Sequence, residues 1–256
     1  MPPSPSIRTE NLTIRFGGHA AVSSVTCAFH PGELTVIVGP NGAGKTTWFN
    51  LVSGQLRPSA GRIFLGERDI TRLSPSERAK AGIGRAFQLT NLFPKLSVLE
   101  NVRLAVQAKA GRGSQLFTRT TRLTGLTDKA MQHLIETNLT SVADLPAAAL
   151  PHGDQRKLEV ALLLAMEPDI FMFDEPTAGM SVDEAPVILD LIARIKQDRS
   201  RTVLLVEHKM DVVRALADRI VVLHNGELVA DGAPGEVMAL ALVREIYLGI
   251  GAEEVA

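Results

Sequence analysis

Hydrophobic positions along the chain change their period several times. Asn11 to Phe16 and Val22 to Phe29 alternate apolar with polar residues, and Gly17-Gly18 separates them. That pattern predicts an antiparallel strand pair at the start. Leu34-Thr35-Val36-Ile37-Val38 is instead a continuous β-branched and apolar run, the pattern of a strand buried on both faces. Two segments then carry helix-start signals. Ser74-Pro75-Ser76-Glu77 combines an N-cap serine, a proline at the first helical position and a capping-box glutamate. Ser97 and Glu100 repeat the box ahead of Val98, Val102 and Val106 at helical spacing.

Between Ala108 and Leu126 the periodicity weakens into a polar, basic connector with Arg112, Arg119 and Arg122, and it resumes at Met131, Leu134, Ile135 and Asn138. No strand is evident from Gln88 to Leu158, which predicts a helical lobe inserted into a sheet domain. Asp169 to Phe173 and Thr202 to Val206 read as buried strands. Val187, Ile188, Leu191, Ile192 and Ile195 form one helical face between them. Arg219 to Leu223 and Leu228 to Ala230 flank Asn225-Gly226, the strongest short hairpin signal, and a last helix is expected from about Gly235 to Leu248. Alternating strands and helices imply an α/β fold with a mostly parallel sheet.

Composition narrows the class. The 256 residues carry 27 Lys plus Arg against 28 Asp plus Glu, a formal net charge of −1. That balance argues against a non-specific nucleic-acid binder. The lone Cys27 excludes a disulfide framework or a cysteine-based zinc cluster and fits a reducing compartment. The first residues, MPPSPSIRTE, lack the basic and apolar regions of a secretory signal. The most apolar stretches, Val160 to Met166 and Ile170 to Phe173, fall far short of the ~20 residues a membrane helix needs. A mean hydropathy of +0.12 is nonetheless high for a soluble domain, so a partner is expected to cover part of the surface.

Gly39-Pro40-Asn41-Gly42-Ala43-Gly44-Lys45-Thr46 fits G-x-x-x-x-G-K-[ST] between an expected strand and an expected helix, followed by Thr47. Glycines let successive N–H groups turn toward a phosphate, and the helix N-terminus aims its positive dipole end at the same anion. Lys45 reaches the terminal phosphates, and the Thr46 hydroxyl suits Mg²⁺, which prefers hard oxygen ligands. Asp174 and Glu175 end the apolar run Ile170 to Phe173. Asp174 is placed to hold Mg²⁺, and Glu175 to orient or deprotonate an attacking water. His208 follows a third strand directly in VEH, either as a structural histidine or as a γ-phosphate sensor.

Together these motifs resemble the nucleotide-binding subunit of an ATP-binding cassette (ABC) transporter, from roughly Ile7 to Gly249. GPNGAGKTT is similar to the family's Walker A, and IFMFDEPTAG to its Walker B with the catalytic glutamate. The resemblance implies that Gln88, in GRAFQLTNLFPKLSVLENV, touches Mg²⁺ and the attacking water and meets the transmembrane partner. It also implies that His208 in VEHKMD is the switch histidine and that Phe16 stacks on adenine. Leu150-Pro151-His152-Gly153-Asp154-Gln155 stands at the signature, which in the family caps ATP held by the other subunit. Two departures stand out. Pro151 replaces the signature serine, removing a hydroxyl and an N–H while remaining able to begin a helix at its first position, and Ser181 stands where many members carry the D-loop aspartate.

The implied architecture is a single domain over 1–256. A P-loop NTPase core (1–88 and 161–256), with an N-terminal antiparallel β subdomain, carries an inserted α-helical subdomain (89–160) that holds the signature. The implied activity is ATP hydrolysis with ATP and Mg²⁺. The expected partners are transmembrane permease subunits, a second ATPase subunit (the same chain or a paralogue) and, indirectly, a substrate-binding protein, with no nucleic acid. The expected place is cytoplasmic, peripheral on the inner face of the cell membrane. EPTAG, LTNLFPKLSVLENV and NGELVADGAPGEVMA look like the branched-chain amino-acid importer group, whose relatives handle urea, amides or aromatic acids. A lipid or lipopolysaccharide exporter ATPase and a soluble ABC ATPase without a permease are the alternatives.

Overall fold

The computed structural model describes residues 6–86, 92–111, 120–181 and 183–248, with the backbone alone for 120–124 and 247–248. β1 (Ile7–Phe16) and β2 (His19–Phe29) form the expected antiparallel pair, with Ile7 opposite Phe29 and Phe16 opposite His19. β3 (Leu34–Val38), buried at every residue, leads through a loop into α1 (Lys45–Ser53). β4 (Ala60–Leu65) pairs with the free side of β1, and the two-residue β5 (Arg68–Asp69) completes a sheet ordered β2-β1-β4-β5. α2 (Pro75–Lys80) and β6 (Ile83–Ala86) follow, then three longer helices: α3 (Val98–Lys109), α4 (Thr120–Glu136) and α5 (His152–Ala165). β7 (Ile170–Asp174), α6 (Ala185–Gln197), β8 (Thr202–Val206) and α7 (Met210–Leu216) return to the sheet. β9 (Arg219–His224), β10 (Glu227–Gly232), α8 (Pro234–Ala239) and α9 (Ala241–Leu248) end the described chain.

The main sheet is ordered β10-β9-β3-β8-β7-β6. Within it β9, β3, β8 and β7 run parallel, and β10 pairs antiparallel with β9 through a turn whose Asn225 and Gly226 both have positive φ. Three strands, β4, β5 and β6, are absent from the sequence expectation. β4 has a single fully buried residue, Ile63, and β6 is four residues long, so neither shows a period of two. The expected last helix is two helices, broken at Leu240, whose backbone is extended (ψ 129°).

Two compact units emerge: Met1–Ile83, Asp169–Glu175 and Ile195–Ala256 in one, Gly84–Pro168 and Pro176–Arg194 in the other. These bounds differ from the expected 89–160. One reason is that α5 continues past 160, and its Leu158, Ala161 and Ala165 all pack in the same helical core as Val98, Val102 and Leu134. α4 likewise starts earlier than its apolar spacing, at Thr120. The core of the first unit surrounds Trp48, which meets Phe29 at 5.3 Å between ring centroids.

Both helix-start signals operate, one of them in half. Ser74 and Glu77 form the complete capping box. The Ser97 hydroxyl accepts from the Glu100 N–H, but the Glu100 carboxylate is taken by Arg103 at 2.7 Å.

Arg78 on α2 is 1% exposed and locks the far end of α1. Its Nη1 donates to the carbonyls of Leu51 and Val52, each at 2.6 Å, its Nη2 to Thr71 O at 3.0 Å and its Nε to Leu73 O at 3.2 Å. The last carbonyls of a helix lack intrahelical partners and carry its negative dipole end, so a cation there serves both needs. Burial pushes the guanidinium pKa down to about 10. Arg78→Met keeps the bulk but removes the hydrogen bonds to these carbonyls, of which Leu51 O still accepts from Gly54 N–H, and a buried carbonyl left without a donor costs about 1–3 kcal/mol. It is therefore expected to lower stability by about 3 kcal/mol, read from the urea unfolding midpoint.

Candidate active site

The loop of residues 39–46 joins the C-terminal end of β3 to α1. Gly44 caps α1 with φ +97°, and a Cβ on it would lie 2.4 Å from the carbonyl oxygen of Ala21 in β2. Only glycine satisfies both the angle and the approach. From the other side the N–H of Gly226, in the β9–β10 turn, donates to Ala43 O at 3.0 Å. The loop is thus gripped by neighbouring backbone. α1 starts at Lys45 with unpaired N–H groups and a positive dipole end at the loop.

Lys45 is buried, and its Nζ donates to the carbonyls of Gly39 (2.6 Å) and Pro40 (2.9 Å). Burial lowers its pKa, against the pull of the negative Glu175 and Asp174. A cavity of about 370 Å³ opens here, lined by Phe16, Ala21, Asn41 to Thr47 and Glu175. Phe16, at the end of β1, is 52% exposed.

β8 and β7 end beside β3. Asp174 is the buried last residue of β7. Glu175 follows at φ +48°, a left-handed conformation uncommon outside glycine, and its N–H donates to Val206 O at 3.0 Å. Such backbone settings concentrate at functional sites. His208, two residues past β8, places Nδ1 3.8 Å from both Glu175 Oε1 and Glu207 Oε2. The phosphate-type loop, Asp174, Glu175 and His208 therefore meet at the carboxyl ends of three adjacent parallel strands, where open α/β sheets bind ligands. Gln88 lies outside the described residues.

Sequence reasoning passes over two contributors here. Ala21 acts through its backbone carbonyl alone, which no side-chain pattern marks. Glu207 is a carboxylate with 1% exposure at the end of the apolar run Thr202 to Val206. The signal existed, since it is the pattern that singles out Asp174.

The signature and D-loop residues gather within the second unit. Leu150 is buried, whereas Pro151 and His152 are exposed at the start of α5. Pro151 stands one residue earlier than expected: it is the N-cap (φ −56°, ψ 159°), and its carbonyl accepts from Gln155 N at 3.0 Å. The Gln155 side chain turns back to Leu150 O at 2.9 Å, and Asp154 pairs with Lys157 at 2.8 Å. Ser181 and Glu184 cap each other reciprocally: Ser181 N–H donates to Glu184 Oε2 (3.1 Å), and Glu184 N–H to Ser181 Oγ (3.3 Å). The Ser181 N–H and, at 3.0 Å, the Ser181 hydroxyl donate to the Glu184 carboxylate and, in that order, lower its pKa, helped by Lys157 and His152. The same carboxylate fills the space beside Gly153, where a Cβ would lie 2.1 Å from its Oε1.

A parallel-sheet core with a phosphate-type loop at one strand end and carboxylates at the next is the architecture of a nucleotide-hydrolysing cassette. The ABC transporter family matches residues 22–178, and the chain belongs to that family. It is 36% identical over 251 residues to the high-affinity branched-chain amino acid transport ATP-binding protein LivG of Escherichia coli (strain K12), covering 96% of this chain and 98% of that one. Among solved structures it is similar to the ADP conformation of MJ1267, an ATP-binding cassette of an ABC transporter, with TM-score 0.79, 29% identity and coverage of 96% and 99%. It is also similar to the dimeric post-hydrolysis state of the cassette MJ0796 bound to ADP and Pi, with TM-score 0.76, 26% identity and coverage of 89% and 98%. The chain is an ATPase of this class, and its cassette binds nucleotide. Among the described residues, no helix is long and apolar enough to cross a membrane.

Because the Glu184 carboxylate is tied to Ser181, it cannot yield freely to a methyl group on Gly153. Gly153→Ala is expected to lower the melting temperature by roughly 2–4 °C. In a Glu184→Ala background the same substitution is expected to be neutral or stabilising, since alanine is the better helix former. Thermal unfolding of the four proteins in this cycle checks the coupling.

Proposed function

We propose that this chain is the ATPase subunit of an importer for branched-chain amino acids or related small solutes, acting on the inner face of the cell membrane. The observation that carries the catalytic part is the meeting of loop, carboxylates and histidine at three strand ends. Its near full-length similarity to LivG supports the cargo class.

In this reading Phe16 offers its ring to adenine at the rim of the cavity. The loop N–H groups between Gly39 and Thr47 that are free to donate (Pro40 has none, and that of Ala43 binds Pro40 O) and the N-terminus of α1 take the phosphates. Lys45 then exchanges the carbonyls of Gly39 and Pro40 for phosphate oxygens, its positive charge sustained by Asp174 and Glu175. The Thr46 hydroxyl and the Asp174 carboxylate form an oxygen-only donor set, which fits Mg²⁺, with Gln88 as a further ligand. A Mg²⁺ ion held by these residues would supply positive charge to the phosphate oxygens. Glu175 orients the attacking water and accepts its proton as the β–γ phosphoanhydride bond breaks to ADP and phosphate. His208 contacts the γ-phosphate from the neighbouring strand end.

A second ATPase subunit, the same chain or a paralogue, completes the site. The exposed start of α5, with Pro151 and His152, is a helix N-terminus suited to a phosphate on that second subunit, and Leu150 to Gln155 with Ser181 form this contact. The dimeric cassette among the similar structures supports the arrangement. Transmembrane permease subunits dock on the second unit, where Phe93 is 55% exposed beside a cavity of about 400 Å³ lined mostly by apolar atoms of Leu104, Ala105, Ala108, Leu162 and Met166. Exposed apolar patches of this kind mark interaction sites. A substrate-binding protein acts through the permease, and nucleic acid has no part.

Lys45→Ala and Glu175→Gln are expected to fail differently. The first loses ATP binding and hydrolysis together. The second keeps binding and loses on the order of 10²–10⁴ in rate, the usual cost of removing a positioned base. Fluorescent-nucleotide titration beside steady-state ATPase assays separates the two, and full activity of Glu175→Gln refutes the role. Phe93→Ala is expected to leave the ATPase rate of the isolated subunit intact and to weaken co-purification with the permease. A fall in melting temperature with normal transport would instead make Phe93 a packing residue.

A further inference from the structure

The turn carrying His208 is held by a side chain that the chemistry above does not use. Glu207 is the first residue past β8, and its side chain is 1% exposed. A carboxylate removed from water is costly unless hydrogen bonds compensate it. Here Oε2 accepts two backbone N–H groups, from His208 at 2.7 Å and from Lys209 at 3.1 Å. The Glu207 N–H itself donates to Ile37 O in β3, at 3.4 Å. One residue therefore joins the strand that feeds the phosphate loop to the turn that presents the histidine. The same Oε2 stands 3.8 Å from His208 Nδ1, with Glu175 Oε1 at the same distance on another side.

The imidazole itself is 55% exposed. An exposed ring samples many rotamers unless the backbone that carries it is fixed, whereas contact with a phosphate requires one. We propose that Glu207 is a positioning residue for His208: it fixes the turn after β8 so that the imidazole stands beside Glu175 at the nucleotide cavity. This rests on the reading of His208 as the γ-phosphate contact.

The test uses the full chain and three readouts: kcat for ATP, affinity for ADP, and the thermal unfolding midpoint. Glu207→Ala removes both N–H acceptors, and kcat is expected to fall on the order of 10-fold, as when an active-site group loses its outer partner. ADP affinity is expected to hold, because ADP has no γ-phosphate for His208 to meet. Glu207→Gln is the rescue, since one amide oxygen can accept both N–H groups, and it is expected to restore most of the rate. In a His208→Ala background Glu207→Ala should lower kcat no further, because residues acting as one unit are not additive.

An equal loss in both backgrounds overturns the proposal, whatever the melting temperatures. A normal rate in Glu207→Ala beside a slow His208→Ala overturns it while leaving the role of His208 standing. A fully active His208→Ala overturns both. Should Glu207→Ala fail to fold, Glu207→Asp serves in its place: it keeps the charge but withdraws the oxygen by one methylene. It must lower kcat in the wild-type background and not in His208→Ala, and the reverse result overturns the proposal.

Discussion

A loop that offers its backbone N–H groups to phosphate can spend few of them on its own architecture (Ala43 N–H donates to Pro40 O at 3.1 Å), so it is held mainly from outside. In this chain the holding is done by backbone atoms of other elements. Ala21 O closes on Gly44 and Leu223 O on Gly39, where a Cβ would lie 2.4 and 2.2 Å away respectively, and the Gly226 N–H binds Ala43 O. The turn that supplies Gly226 is in turn bound to β2, where Ser23 N–H donates to Gly226 O at 2.8 Å. The antiparallel strand pair and the late hairpin are thus more than packing for the sheet: they are the walls of the loop. Arg78 secures the other end of the helix that the loop feeds.

Charge in the site follows the same economy. Lys45 and Asp174 are both buried, and a buried ion is tolerated only with partners. The Lys45 ammonium donates to two carbonyls, and two carboxylates nearby act against the lowering of its pKa by burial. An incoming phosphate brings negative charge to Lys45 in place of the neutral carbonyls it contacts.

Legibility in the sequence tracked how a residue does its work. Residues acting through side chains in fixed spacing, such as Lys45, Thr46, Asp174 and Glu175, stood out, and so did strands buried on both faces, such as β3, β7 and β8. The Asn225-Gly226 turn was legible because two consecutive positive φ values leave few other residue choices. What escaped was work done by backbone or by burial pattern alone. β4 carries one fully buried residue, and the carbonyl of Ala21 has no sequence mark. The Glu100 carboxylate satisfied half of a capping box on paper, yet Arg103 three residues on outcompetes the N-cap N–H for it.

The two units divide these demands by chemistry. Hydrolysis calls for buried, paired charge, and the first unit supplies it at strand ends whose positions a close-packed core fixes. The second unit instead leaves apolar surface uncovered around Phe93, which is not among the described residues that build its helical core. Among the described residues, none that lines the groove beside Phe93 also lines the cavity at Lys45 and Glu175. The residues at the strand ends and those of the exposed apolar groove can therefore be changed independently, because they rest on different hydrophobic cores.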